Sequence, residues 1–445
     1  MRMYVRLGLL LTVLALAVLA GGTPAYAWSY PAALNTNATT DSGGDGKPQV
    51  TTDGAGHWVA VWTSNDSLGG TIGTDWDILV ALSTDNGEHW TDPEPLNTNA
   101  ATDSGDDGGL QGGPQVATDG KGNWVAVWCS WDDLGGTIGT DLDSLVALST
   151  DNGATWTDPE PLNTNAATDS GADFTPQVAT DGAGNWVAIW GSTDDLGGTI
   201  GTDYDILVAR STNNGVTWTD PAALNTNAAT DSGMDDWPQV STNGVGNWVA
   251  VWMSNDSLGD TIGTDMDILV ARSTDNGDHW TDPEPLNTNA ASDSGGDYYP
   301  QVTTDGLSHW VAVWESWDDL GGTIGTDTDI LVSRSTDNGA TWTEPAALNT
   351  NAATDSGSDD WPEVSTDGAG NWVAIWMSND SLGDTIGPDW DILYATEPEA
   401  APVGGLAELP DASGSAGRNY AALAGLAAAL VALGAGGWYA RRRFS

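Results

Sequence analysis

The chain of 445 residues carries 63 acidic side chains against 11 Lys and Arg, a formal net charge of −52, and a single cysteine. Such a body repels phosphate backbones and anionic lipid surfaces, which excludes nucleic acid as a partner. Cys129 alone excludes an internal disulfide, so packing, hydrogen bonds or ions must hold the fold. Acidity of this degree also accompanies disorder, but 25 tryptophans and a regular apolar pattern argue for a packed core.

In chain order, Arg2 and Arg6, an apolar run over 7–20 and Ala25-Tyr26-Ala27 predict a signal peptide over 1–27. The remainder is repetitive. "STDNGEHW" from Ser83 returns from Ser149, Ser211, Ser273 and Ser335; the last four copies are spaced by 62 residues, and four extra residues within 106–113 lengthen the first step to 66. A period of this size predicts a propeller or a solenoid. In each unit, "PQVTTD" (48–53) reads as a short strand. "HWVAVW" (57–62) reads as a second, with Trp58, Ala60 and Trp62 on one face and Val59 and Val61 on the other. A long Gly/Asp loop leads to a third strand (77–83), and a hairpin leads to a fourth (90–97) whose Pro93 and Pro95 belong on an edge. Six units begin at Pro48, Pro114, Pro176, Pro238, Pro300 and Pro362, but the sixth ends at 391–399 without a fourth strand. The missing strand matches 28–35, since "WSYPAALN" parallels "WTDPAALN" at 218–225. The expectation is an all-β, six-bladed β-propeller of four-stranded blades over 28–396, closed into a ring by its N-terminal strand.

Beyond it, 397–419 reads as a linker, and the apolar run 420–440, followed by Arg441-Arg442-Arg443, as one transmembrane helix with a cytoplasmic basic tail over 441–445. The implied location is the cell surface, with an extracellular propeller on a single membrane pass.

The octapeptide resembles the Asp-box of bacterial neuraminidase repeats, Ser/Thr-x-Asp-x-Gly-x-Thr-Trp. The boxed positions are Asp85, Asp151, Asn213, Asp275 and Asp337; Asn213 replaces the aspartate, and His89 and His279 replace the threonine. The resemblance implies sialidase-like propeller blades. The box itself reads as structural, an Asx-type turn with glycine at positive φ and a tryptophan packed back on the blade. Sialidases of this fold clamp a carboxylate with three arginines. Arg210, Arg272 and Arg334 instead hold one equivalent position in three successive blades, which spreads them around the rim, and the Phe/Tyr-Arg-Ile-Pro motif is absent.

Strand alternation puts the long loop and the blade-to-blade crossover on one face, the top, and the Asp-box hairpin on the other. Differences among the units cluster on the top. They include Trp76, Tyr204, Trp237, Tyr298, Tyr299, Trp361 and Trp390 as ligand-contacting aromatics, with Phe174, Trp131 and Trp317 beside them, and Glu315 and Glu363 as the unit-specific carboxylates that would form a glycosidase pair. Every unit also repeats "DSGxD" and "D…GTDxD", thirty aspartates in all. Like charges this close must spread, protonate or bind cations, and irregular Asp loops suit Ca²⁺. Candidate ligands are Asp66, Asp75 and Asp77 in one loop and Asp256, Asp265 and Asp267 in another. The resulting expectation is a Ca²⁺-stabilised recognition or adhesion module for an extracellular glycan or protein. The alternatives are a sialidase-like exo-glycoside hydrolase and a structural surface-coat protein.

Overall fold

A computed structural model describes residues 32–41, 43–103, 105–108, 112–383, 385–387 and 389–397. The predicted signal peptide, the linker beyond Glu397, the membrane helix and the basic tail lie outside the described residues.

The second strand of each unit decides the architecture. In Trp124–Ser130 ("WVAVWCS") every residue is buried, which is impossible for a sheet with one wet face. Both faces must be covered, and neighbouring copies cover them. Val59, Val61, Ile78 and Val80 of the first unit pack on Trp124, Ala126, Trp128, Leu145 and Ala147 of the second. The same register recurs between the third and fourth units, where Val187, Ile189 and Ile206 meet Trp248, Ala250 and Trp252. Alanine between two tryptophans leaves the slot that the facing valines fill, so successive sheets interdigitate.

The described residues form six sheets in chain order, five of four strands and a last one of three. The first blade comprises Asp45–Thr52, Trp58–Ser64, Asp77–Ser83 and Glu94–Pro95, each strand antiparallel to the one before it. First strands from all six blades line one central channel, as Gln49, Gln115, Gln177, Gln239, Gln301 and Glu363 show. The fourth strand is far shorter than the predicted 90–97. Only Glu94 and Pro95 form ladder pairs, opposite Val80 and Leu79; single backbone hydrogen bonds from Thr91 to Leu82 and from Leu96 to Ile78 flank them, and the two prolines supply no donors between.

The Asp-boxes act on the backbone. Asp85, Asp151, Asn213, Asp275 and Asp337 each accept the amide four residues on, at 2.9–3.0 Å. The second oxygen takes the Thr155 or Thr341 hydroxyl at 2.7 and 2.8 Å. In the divergent copies His89 Nδ1 and His279 Nδ1 occupy that place, at 2.6 and 2.8 Å. Asn213 reverses the polarity, its Nδ2 donating to Thr217 Oγ1 at 2.9 Å. The departures from the motif are therefore chemically equivalent turns.

Ring closure through the N-terminal strand is not seen among the described residues. Positions 28–31 lie outside them, and Ala32 and Ala33 are exposed and belong to no strand. Leu34 nevertheless packs against Ala60, Trp62, Leu79 and Ala81 of the first blade, the place Leu96 takes against the second. The segment is docked on one side of the junction only. Among the described residues nothing covers the outer face of the sixth blade: Val373, Ile375, Ile392 and Tyr394 are exposed, whereas their counterparts Val187, Ile189 and Ile206 are fully buried.

This asymmetry has a measurable consequence. Ile206→Ala should cost about 2–5 kcal/mol, and the equivalent Ile392→Ala should stay within about 0.5 kcal/mol. Urea unfolding midpoints of the two variants check it; equal losses would mean that the sixth blade's outer face is covered in solution.

Candidate functional site

The residue before the strand-opening proline is the point where the units differ most usefully. In five blades it has left-handed backbone: Lys47, Thr175, Trp237, Tyr299 and Trp361 lie at φ between +49° and +54°. For bulky side chains this region is costly. It coincides with a β-bulge, since the pairing of the first and second strands slips between Asp236 and Gln239, Tyr298 and Gln301, and Asp360 and Glu363. A bulge re-aims the extra side chain, here inward. The inserted segment before Gln115 replaces the bulge in the second blade, where Gly112 and Gly113 line the channel instead.

Three aromatic rings thus meet in the channel mouth. Tyr299 and Trp361 stack with centroids 4.1 Å apart, and Trp237 meets both edge-on at 5.0 and 5.5 Å. Below them lies the ring of five glutamines and Glu363, in a cavity of about 550 Å³. Opposite, Lys47 Nζ donates to the Gly112 carbonyl at 3.2 Å, and burial lowers its pKa.

Carboxyl groups surround this panel. Burial, with the Asp360 charge beside it, pushes Glu315 up to about 7. Burial pushes Asp236 up to about 6 and raises Asp360. Glu363 is open to the channel water but walled by protein, and this enclosure raises it too. Glu315, Asp236 and Asp360 all act on Tyr299, whose phenol is raised first by burial and then by these charges.

The structure divides the predicted ligand-contacting aromatics. Trp237, Tyr299 and Trp361 line the channel. Tyr298 leans on Tyr299 at 6.2 Å and packs into the core between the fourth and fifth blades. Tyr204 lies against Phe174, which is itself buried with Cys129 and Leu142. Trp76 gives its backbone amide to Asp106, and Trp390, 48% exposed, lies outside the channel lining. Of the two predicted carboxylates only Glu363 lines the channel; Glu315 is buried on the second strand of its blade, opposite Tyr298 in the strand pairing. The arginines do not converge. Arg210 pairs with Asp278 in the next blade's Asp-box and Arg334 with Glu397, both on the bottom face.

The repeated aspartates form a second constellation, at the junctions between blades. Asp75 and Asp77 meet Asp103 from the following crossover, with carboxylate oxygens within 4.8 Å of one another. Asp66 is not part of this group. Its carboxylate accepts from Asn37 one junction earlier, and its counterpart Asp132 accepts from Asn99. Asp265 and Asp267 likewise act on Asp293, while Asp256 acts on Asp231 at the junction before. Grouping by loop therefore gives way to grouping by junction, because each crossover is pressed onto the next blade. Gly105 shows how closely: a Cβ there would lie 2.3 Å from the Asp132 amide nitrogen.

The asparagines that organise these carboxylates were legible in the sequence as the "LNTNA" opening of every crossover, yet their role is visible only in space. Asn97, Asn163, Asn225, Asn287 and Asn349 each donate to the DxD aspartate at 2.6–2.8 Å. The asparagine two residues on donates across the junction at 2.5–2.7 Å in all six copies, as Asn227 does to Asp256. Burial, reinforced by neighbouring carboxylates, pushes Asp205 up to about 7 and Asp231 up to about 6.

No protein-family model matches the sequence, and no curated protein sequence is similar to it. Solved structures are similar in architecture. A protein of unknown function from Dyadobacter fermentans is 15% identical at a TM-score of 0.47, over 79% of this chain and 93% of that one. NanB sialidase from Streptococcus pneumoniae is 10% identical at 0.43, over 78% and 66%. An alpha-L-arabinanase from Penicillium chrysogenum is 13% identical at 0.44, over 79% and 93%. The chain is a six-bladed propeller with Asp-box-like repeats, and the similar structures include sialidases and an arabinanase.

Glu315 supplies a pH signature. Its folded pKa of about 7 exceeds the unperturbed 4.5, so the native state holds the proton more tightly than the unfolded chain does between these values. Stability should therefore fall as pH rises from 4.5 to about 7, with the penalty complete above that. Glu315→Gln should melt like the wild type at pH 4 and above it at pH 8, at fixed calcium concentration. Equal melting temperatures at pH 8 would count against a buried carboxylate there.

Proposed function

We propose that this propeller is a surface-held recognition module that takes a neutral glycan into its channel mouth. The observation that carries the reading is the convergence of Trp237, Tyr299 and Trp361, each on a strained left-handed bulge, above a ring of side-chain amides. Strain of this kind persists only where the surroundings hold it, and it concentrates at ligand sites. Aromatic faces stack on the C–H faces of sugar rings, and the amides of Gln239 and Gln301 both give and accept hydrogen bonds with hydroxyls. Acidic sugars fit poorly, because the Glu363 carboxylate lines the channel and Asp360 acts on Tyr299 at its mouth, while Arg210 and Arg334 are engaged in ion pairs at the bottom. Display outside the cell rests on the predicted signal peptide and C-terminal anchor, and makes adhesion the natural use of such a site.

A second reading has its own support. Glu315, raised to about 7, is a protonated acid near neutral pH, and Asp236 and Asp360 stand on the same tyrosine. A held proton beside a carboxylate is the equipment of glycoside hydrolysis.

One experiment separates the two. Neutral oligosaccharides titrated against tryptophan fluorescence should bind, and Trp361→Ala should weaken binding about tenfold or more. Hydrolysis of aryl glycosides, abolished in Glu315→Gln, would establish the hydrolase. Failure of every neutral glycan alongside capture of a defined protein would move the ligand class to protein.

A further inference from the structure

The junctions between blades carry an inference that goes beyond ligand recognition in the channel. We propose that each of the five junctions from the first to the sixth blade holds one Ca²⁺, bound by the two DxD aspartates of one blade and the first aspartate of the crossover leading to the next.

The junction between the third and fourth blades displays the argument. Carboxylate oxygens of Asp203, Asp205 and Asp231 lie within 4.8 Å of one another. Oxygens on one Ca²⁺ sit about 2.3–2.6 Å from it, so two ligands on the same ion are at most about 5 Å apart. The spacing fits a shared ion.

The second observation is independent of the clustering. Asp205 is fully buried, and its Oδ1 accepts from Asn225 at 2.7 Å, yet its Oδ2 has no partner. Asp203 Oδ2 and Asp231 Oδ1 are likewise buried and unpartnered, and so is Asn227 Oδ1, a neutral amide oxygen. Buried acceptors are ordinarily satisfied, and leaving one orphaned is destabilising, the more so when it is charged. The same three carboxylate oxygens are orphaned at all five junctions, for example Asp75 Oδ2, Asp77 Oδ2 and Asp103 Oδ1 at the first. The recurrence ties the orphaned oxygens to the repeat itself rather than to one irregular junction.

The asparagines explain why the orphans stay together. Asn225 and Asn227 donate to the other oxygens of Asp205, Asp231 and Asp256, which fixes the carboxylates and leaves one free oxygen on each of Asp205 and Asp231. Oxygen-only donors on irregular loops select a hard cation, and the absence of sulfur or imidazole among these ligands disfavours zinc and copper. A divalent ion would also offset the mutual repulsion that burial intensifies. The sixth set is divided: Asp389 and Asp391 belong to the last blade, and Asp41, held by Asn35 at 3.2 Å, belongs to the chain start.

The test uses the full chain purified in calcium and then desalted. Elemental analysis should find five Ca²⁺ per chain, or six if the divided set assembles; fewer than five overturns a site at every junction. EDTA should lower the melting temperature by about 10 °C or more, Ca²⁺ should restore it, and Mg²⁺ at equal concentration should not. An EDTA-insensitive melt overturns the proposal, and equal rescue by Mg²⁺ overturns the assignment to calcium. Asp205→Asn keeps an acceptor for Asn225. It should lose one ion and melt lower than the wild type in Ca²⁺ but not in EDTA. A purely structural aspartate would lower both melts. Glycan binding is read separately, so a failed channel ligand leaves this outcome intact.

Discussion

Mutual burial of neighbouring blades is the constraint from which the rest follows. A sheet whose second strand reads Trp-Val-Ala-Val-Trp has no face it can leave in water, and only another copy of itself offers the complementary relief. Stacking along one direction makes the chain circle a channel, puts first strands innermost, and forces each crossover down onto the next blade. That last step has an electrostatic cost. It takes aspartates that would be solvated in an isolated blade and buries them beside one another at every junction, where Asn-mediated hydrogen bonds satisfy only part of their capacity.

Repetition and its interruption divide the labour. The packing strands, the Asp-box turns and the junction asparagines are nearly invariant around the ring, so they hold the scaffold. Several positions per blade escape this uniformity, and one of them lines the channel. At the channel mouth it carries Lys47, Gly113 and Thr175 on the first three blades and Trp237, Tyr299 and Trp361 on the last three. The mouth is therefore polarised, small and basic on one side and aromatic on the other, although the frame beneath it is close to sixfold. The bulge gives this position its leverage: displaced by one residue from the ladder, the side chain points where no regular strand residue would.

Much of this was legible in the residues. The 62-residue period, the alternation in 57–62 and the prolines of the fourth strand identified a propeller and its edge. The spread of Arg210, Arg272 and Arg334 followed from their equivalence in the repeat, and ion pairs across adjacent blades now account for two of them. Grouping of the aspartates was less accessible. Loop proximity suggested Asp66 with Asp75 and Asp77, whereas packing gives Asp66 to one junction and the DxD pair to the next. Sequence distance measures contact along a loop and is silent about which loops a neighbouring blade brings together. The six copies of "LNTNA" were a visible signal of that second contact, since a crossover with no partner has no need of two fixed amides.

The sequence by itself determined the number of blades, the composition of their interfaces and the excess of negative charge, because periodicity and burial patterns are local properties of the chain. Only the tertiary structure decided which three aromatics meet, which carboxylates share a junction, and that Leu34 docks on the first blade while Ile392 and Tyr394 on the sixth are exposed. Each of these depends on backbone displacements at a bulge, a crossover or a chain end. Such displacements are set by how blades settle against one another, and no repeat, however regular, encodes them residue by residue.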